Sequence, residues 1–571
     1  MKKHYAWLIL LLVGWSTAGW AQTKSIAGRV TSGGDQEGVP GVNVTVKGTT
    51  NGTITDANGN YALSVGPEAE VLVFSFIGFA VVEEAINNRA AIDVTLVEDV
   101  RQLTEVVVTA VGVERQKREL GYATQEVNNE ELTKAANFNA INSLQGKVAG
   151  AQISQVGGGV GSSTRITLRG ISSLTGGNQP LFVIDGIPVN NQQLRGSVDS
   201  RSGTDFGNAG IDINPADIAS VNVLKGPAAA ALYGSRAAHG AIRITTKSGR
   251  GSSKKMEITY NGGVTFEDVL QFPDFQSTYA GGADGVFDPN PFQSWGPRIE
   301  GQTVVNKNAS FPGQPDSVAL RAHPNFYDQI LETGITYNNS LSLQGAGERA
   351  HYRLSVTSLN QEGTVPNTDF NRFTVQGRGG AQLSNKFSSE MSMTYTKTYS
   401  NNLPGVGQSN SNGVFWQGLW EPIDTDFGPS RENFQQPDGT PYVMNADDNP
   451  FWNNPFWVLN KNTTTQDRDR LNGFFSINYA PMEGLKFTAR AGTDFYSDMR
   501  AGRRAFHTLG DVDGFYFEDK YFVTETNVDL IGQYDKQLTQ DFSLFLLVGH
   551  NTRLNRLERL SATAPALIIP E

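Results

Sequence analysis

TDANGNY (residues 55–61) sets Asp56, Asn58 and Asn60 at alternate positions, the spacing with which a calcium loop opens. Such a loop wants glycine at its sixth position and a bidentate glutamate at its twelfth. Here Gly59 stands fourth and no glutamate follows, so a turn between strands is expected instead. QVGGGVGSSTR (155–165) has the glycines of a phosphate-cradling loop but not the lysine followed by serine or threonine, and it is expected to be a flexible loop. The six histidines (His4, His239, His323, His351, His507 and His550) are scattered, with no pair at ligand spacing, and there is no cysteine. A histidine metal site, thiolate ligation, thiol catalysis and a serine–histidine–acid set therefore all lack their residues. The expectation is no metal, no cofactor and no enzymatic activity.

Two other stretches suggest contact rather than catalysis. LTEVVVTA (Leu103, Thr104, Glu105, Val106, Val107, Val108, Thr109, Ala110) places three valines in a row before a basic stretch, VERQKREL (113–120). Such a run favours extended backbone, whose amides and carbonyls can add a strand to another protein's sheet edge. It can equally be the last strand of the unit before it. DDNPFWNNPFW (447–457) offers Phe451, Trp452, Phe456 and Trp457, which could stack on sugars or peptide side chains, or form a loop core or interfacial girdle.

The elements that must hold these stretches are mostly strands. With 571 residues, several domains are expected. Lys2 and Lys3, the apolar run AWLILLLVGW, and small residues up to Ala21 read as a signal peptide over 1–21, cleaved after Ala21. Its removal takes the formal charge from −11 to −13, because two lysines leave and no acid does. That acidity argues against nucleic acid as partner. Without disulfides, an exported chain must rely on burial and sheet closure.

Residues 22–97 read as a small β-sandwich of short strands (SIAGRVTS, VNVTVKGT, YALSVG, VLVFSFIGF), and 98–120 as a linker. Residues 121–250 read as a compact, glycine-rich α/β unit. Within it, NEELTKAANFNAINSLQGKV carries Leu132, Ala135, Ala136, Ile141 and Leu144 roughly at helical spacing. Pro227 can start a short helix that Ala228 to Leu232 continue and Gly234 ends.

From 254 the texture becomes long and alternating. In HYRLSVTSL, Tyr352, Leu354 and Val356 oppose Arg353, Ser355 and Thr357; in LKFTARAGTDFY, Leu485, Phe487, Ala489, Ala491 and Phe495 oppose Lys486, Thr488, Arg490 and Asp494. About nine such segments are expected, near 254–267, 334–346, 349–361, 370–383, 387–400, 470–480, 485–497, 523–536 and 541–554. They are long enough to cross a bilayer at a tilt, which takes roughly 9–11 residues against about 5–6 in ordinary strands. Tight turns such as GAGE alternate with very long connections, as in outer-membrane barrels. No apolar run after the first twenty residues is long enough for a membrane-spanning helix. Nine strands leave two unpaired edges where large plugged transporters have about 22 strands. The chain also stops at SATAPALIIPE, without a terminal amphipathic strand. The reading is the first part of a barrel, over 254–571.

LRGISSL (168–174, with Leu168, Arg169 and Gly170), PLFVIDGIPVNN (180–191, with Asp185 and Gly186) and DIASVNVLKGPAAAALYGSRAAHGAIRITTKSG (217–249, with Lys225, Gly226, Tyr233, Gly234, Arg236 and Gly240) resemble the plug domain of TonB-dependent outer-membrane transporters. The LYGSRAAHGAIRITTK version is similar to the SusC/RagA-type subgroup, with His239 where asparagine is usual. The preceding sandwich resembles the carboxypeptidase-regulatory-like module of such receptors. The resemblance implies a mainly β fold: sandwich, α/β plug, then a large antiparallel transmembrane β-barrel. It implies that residues 103–110 are the TonB box, gripped by TonB with ExbB/ExbD. It further implies a SusD-like surface lipoprotein as lid, oligosaccharide or peptide cargo, and residence in outer-membrane lipid. A siderophore or cobalamin receptor without the lid, and a surface adhesin without energy coupling, are the other readings to be separated from it.

Overall fold

The computed structural model describes residues 24–33, 37–49, 51–76, 79–97, 106–108, 114–116, 124–134, 137–155, 158–174, 177–191, 194, 202–226, 228–252, 255–289, 293–407, 413–443, 453–539 and 542–569. The expected signal peptide and its cleavage residue Ala21 lie outside the described residues. So do Leu103, Thr104, Glu105, Thr109, Ala110, Pro227, Phe451 and Trp452. The chain divides into two units, Met1–Gly121 and Tyr122–Glu571.

In the first unit, β-branched and aromatic residues alternate inward from two small sheets. One orders strands Asn60–Val65, Lys24–Ser32 and Val94–Leu96; the other Gly52–Ile54, Asn43–Val46, Val71–Ser75 and Val82–Ala85. Ile26, Val30, Val44, Leu72 and Phe74 fill the space between them. Tyr61 meets Phe74 edge-on at 5.5 Å and donates its hydroxyl to the Ile92 carbonyl at 2.8 Å. The Asp56 stretch is a turn, as expected. Its carboxylate accepts the Asn58 and Asn60 amides at 2.9 and 2.8 Å. Those backbone donors, that of Asn60 first, hold the carboxyl below the ordinary aspartate range. Val106–Val108 is extended and pairs antiparallel with Glu114–Gln116.

The second unit begins with a five-stranded sheet in the order Thr124–Asn128, Ile218–Leu224, Ala241–Thr246, Leu181–Ile184, Ile187–Val189. Val127, Leu132, Ile141, Phe182, Val221 and Ile242 are among its core residues. Asp185 and Gly186 both take positive φ (50° and 87°), the left-handed pair that a tight two-residue hairpin needs. Among its described residues, the helix expected from NEELTKAANFNAINSLQGKV forms only as Asn129–Thr133 and a 3-10 turn Asn142–Leu144. Asparagines divide it. The Asn137 side chain accepts the Asn139 amide at 2.9 Å, and Asn139 accepts that of Ile141 at 3.0 Å, so local side-chain bonds replace helical ones. The short helix Ala228–Tyr233 forms, and Gly234, at φ 74°, follows it.

Around this plug runs one nine-stranded antiparallel sheet in chain order: Glu257–Glu267, Gly334–Ala346, Ala350–Glu362, Asp369–Gln382, Phe387–Ser400, Thr464–Met482, Leu485–Arg504, Phe515–Gln537 and Ser543–Ala564. The nine expected segments are all strands of this sheet, and the last four run longer than alternation alone suggested. The first and ninth strands do not pair with each other. On one side the strands join through short turns (347–349, 383–386, 483–484, 538–542), on the other through 268–333, 363–368, 401–463 and 505–514. The long connections pack on a core of their own that includes Phe311, Tyr327, Val414, Ile423, Phe427 and Phe456.

Burial along the sheet is inverted relative to a water-soluble protein. In the third strand Ser355 and Thr357 are 2% and 1% exposed, while Leu354 and Val356 are 54% and 43% exposed. The same holds for buried Thr374 and Gln376 against exposed Phe373 and Val375, and for buried Ser476 against exposed Phe475 and Ile477. Polar residues face the plug and apolar ones face outward, the arrangement stable in lipid rather than water.

Candidate functional site

The charged seam between plug and wall is the most chemically distinctive part of the described structure. It is built from aspartates on plug turns and arginines at inward positions of the wall strands. Asp185 sits at its hairpin turn because Gly186 beside it can take positive φ. It accepts the Thr246 amide at 2.9 Å, the Thr246 hydroxyl at 2.7 Å and Arg378 at 2.7 Å. Arg378 also reaches Glu390 on the neighbouring wall strand at 2.6 Å. Asp217, at the end of a 3-10 turn capped by Asn214, meets Arg353 at 2.7 Å. Asp212 meets Arg470 at 2.7 Å, and Arg470 grips Asp494 with two bonds of 2.8 Å. Arg468 pairs with Asp498 at 3.0 Å, as does Arg500 at 2.6 Å, while Arg500 donates to the Leu194 carbonyl at 2.6 Å and lies 4.2 Å over the Phe206 ring. Arg372, fully buried, donates to the Ile211 carbonyl.

Close approach completes the seam. A Cβ on Gly186 would stand 2.2 Å from the Arg490 guanidinium, so glycine there serves both the turn and the contact. On the wall, a Cβ at Gly492 would strike Ile187 at 2.4 Å.

Such a seam has a particular energetic character. Two desolvated charges roughly offset their own hydration, whereas removing one partner leaves the other costly. The plug is thus fixed in register by polar contacts, and both faces would be wettable if they parted.

The residues expected from the plug motif divide between two jobs. Asp185, Gly186 and Arg236, which meets Glu525 at 2.8 Å, face the wall. Leu168 and Gly240 belong to the plug interior, where a Cβ on Gly240 would lie 2.7 Å from the Leu168 side chain. Arg169 holds a positive φ of 58° just before Gly170. Lys225, next to Gly226, donates to Gln125 at 2.8 Å; burial first, then the Arg169 charge, pushes its ammonium pKa down. Tyr233 packs beside a plug cluster of Leu181, Val183 and Leu224. His239, at the position noted above, hydrogen bonds with the Ser172 hydroxyl at 2.8 Å, joining the LRGISSL stretch to the AAHG stretch.

The two described aromatics of DDNPFWNNPFW take the loop-core alternative. Phe456 and Trp457 are each 2% exposed, in helix Pro455–Lys461, and the Trp457 indole donates to Thr508 at 3.0 Å. Pro455 starts that helix and Asn454 caps it, and both rings are buried among the long connections. Among the described residues no group of three or more His, Asp and Glu side chains could hold a metal ion. The wall arginines Arg353, Arg372, Arg378, Arg468 and Arg470 were not singled out by motif. Their signal was parity: each sits at an inward position of an alternating strand.

The chain is similar to known proteins in sequence and fold. Residues 116–241 match the family described as TonB-dependent receptor plug domain, and 26–108 that described as CarboxypepD_reg-like domain. TonB-dependent receptor P26 of Formosa agariphila is 30% identical over 476 residues, covering 82% of this chain and 42% of that protein. TonB-dependent receptor SusC of Bacteroides thetaiotaomicron is 33% identical over 378 residues, covering 64% of this chain and 33% of that one. The RagAB peptide importer in its open-open state superposes with a TM-score of 0.62 at 20% identity, over 80% of this chain and 50% of that chain, a likeness of fold. The chain thus spans half or less of the length of these proteins.

Proposed function

We propose, from the premise that this chain is a homologue of the SusC-type TonB-dependent receptors, that it forms the plug and part of the wall of an energised outer-membrane importer. The wall strands lie in lipid, the short turns face the periplasm, and the long connections face outside. Cargo bound outside loosens the plug, and residues 103–110 are then offered to TonB, which ExbB/ExbD energise through the proton gradient. A SusD-like lipoprotein covers the mouth, and the cargo is a large nutrient, an oligosaccharide or a peptide. The chain itself performs no covalent chemistry.

The single observation that carries this reading is the inverted wall wrapped on a plug through a wettable, charge-paired seam. A structural sandwich has no use for polar residues inside and apolar ones outside, and a permanently seated plug would gain more from an apolar seam. The extended Val106–Val108 strand supports the coupling step, because main-chain pairing to a partner strand resists a pull along its length. In a complete SusC-type receptor carrying this segment, Val107→Pro removes one strand donor and should abolish energised uptake while cargo binding persists. Uptake at the unaltered rate would overturn the assignment of residues 103–110.

A further inference from the structure

Lys307 and Asp424 come from two outer connections more than a hundred residues apart, yet their side chains meet where water scarcely reaches. The Lys307 ammonium lies 3.1 Å from Oδ2 of Asp424, and the two side chains are 7% and 2% exposed. The other carboxylate oxygen, Oδ1, accepts the Gly281 backbone amide at 2.8 Å. Lys307 also donates to the Thr425 hydroxyl at 3.3 Å, and that hydroxyl donates in turn to Oε2 of Glu421 at 2.9 Å. Desolvation raises the pKa of the Glu421 carboxyl, against the lowering effect of the Lys307 charge.

Each of these contacts has a part in one reaction, the condensation of an amine with a carboxyl group. A nucleophile held against its electrophile reacts as though highly concentrated, with effective molarities of about 10⁵–10⁸ M when the geometry is productive. An amide donor fixed on one carboxyl oxygen stabilises the negative charge that grows there as the carbon is attacked. A carboxyl group with a raised pKa can take a proton and give it back. We propose that Lys307 and Asp424 join spontaneously in an isopeptide bond, with Glu421 relaying a proton through the Thr425 hydroxyl. The ammonium first yields one proton to Oδ2, leaving a neutral amine and a carboxylic acid. The Nζ lone pair then attacks Cγ, and the electron pair of the Cγ–Oδ1 double bond moves onto Oδ1, against the Gly281 amide. A second proton leaves Nζ through the hydroxyl to Glu421. As the Oδ1 pair falls back, the Cγ–Oδ2 bond breaks, Glu421 returns its proton, and one water departs. Nothing else is consumed. The product is a staple between the 268–333 and 401–463 connections, in a chain that has no cysteine with which to make a disulfide. It stands apart from the importer reading, since it needs neither cargo nor TonB.

Peptide mass spectrometry of the purified full chain, digested after unfolding, tests the bond. Trypsin cuts after lysine and arginine, so an isopeptide at Lys307 blocks that cut. Residues 299–321 should then stay joined to residues 398–431, lighter than the two separate peptides by one water. The joined peptide should be the predominant form in the parent, and Lys307→Arg, which keeps the positive charge, should abolish it. Glu421→Gln still accepts the Thr425 hydroxyl but cannot carry a proton, so it should lower the joined fraction at least tenfold. A purely structural Glu421 would leave that fraction unaltered. Limited proteolysis of the native variants shows whether the outer connections are folded. If those of Glu421→Gln are not, a second pair decides: Thr425→Ser should retain the joined peptide and Thr425→Val should lose it. Separate peptides as the main product of the parent overturn the bond. A joined fraction equal to the parent's in folded Glu421→Gln, or equal in the two Thr425 variants, overturns the relay and the proposal with it.

Discussion

At the scale of single residues, the seam turns on which charges have an alternative partner. Arg378 has both Asp185 and Glu390, and Arg470 has both Asp212 and Asp494, whereas Arg353 has Asp217 as its ion-pair partner. Asp217→Ala should therefore be the more damaging change, costing about 3–5 kcal/mol of plug docking because a buried guanidinium is left uncompensated. Hydrogen exchange of Ile218–Leu224 in the intact chain measures it as lost protection. Asp217→Leu combined with Arg353→Met should recover most of the loss, and failure to recover would mean that the pair does more than neutralise. In the sandwich the sensitive group is Tyr61. Burial pushes its phenol from 10.0 up to about 12, so the folded form retains a proton that the unfolded chain gives up. Its contribution is complete below pH 10 and declines as pH rises toward 12. Urea midpoints across that window should fall less steeply in Tyr61→Phe than in the parent.

The wall strands show what alternation can and cannot tell. A strand has period two, so Arg353, Ser355 and Thr357 had to share one face and Tyr352, Leu354 and Val356 the other. Which face met water was decidable from strand length and from the alternation of tight turns with long connections: strands of 13 to 23 residues, like the second to ninth here, outreach a soluble sandwich. Periodicity failed in NEELTKAANFNAINSLQGKV, because spacing records where apolar residues fall and is blind to asparagine side chains competing for backbone amides. At Phe456 and Trp457 the sequence left ligand contact and loop core both open, since an aromatic pair reads alike whether it faces a ligand or a core, and the fold buries both rings. The seam was half legible. The inward arginines had the right parity, but their partners Asp185, Asp212 and Asp217 come from turns more than a hundred residues away, a pairing that only the fold supplies. The outward face makes its own prediction. Val356→Arg, near the middle of its strand, should cost about 2–4 kcal/mol of insertion if the complete barrel holds it near the bilayer midplane. Heat-modifiable migration after refolding into vesicles reads that loss, and Val512→Arg in the 505–514 connection should leave migration unaltered.

At the scale of the whole second unit, the plug and the wall divide their charge unevenly along the seam. The plug contributes Asp185, Asp212 and Asp217, and the wall answers with Arg353, Arg378 and Arg470. If the plug is drawn out, the negative member of these three pairs departs with it. Arg378 and Arg470 keep Glu390 and Asp494 on the wall, Arg353 is left facing open water, and the Arg236–Glu525 pair, which runs the other way, leaves its acid behind. The vacated passage would then carry a field of its own: this stretch of lining would favour chloride over potassium and tug at acidic solutes as they enter. In a planar bilayer, a receptor emptied of its plug should pass current with an anion preference that weakens in strong salt, so the doorway would sort its traffic by sign before any binding site is reached.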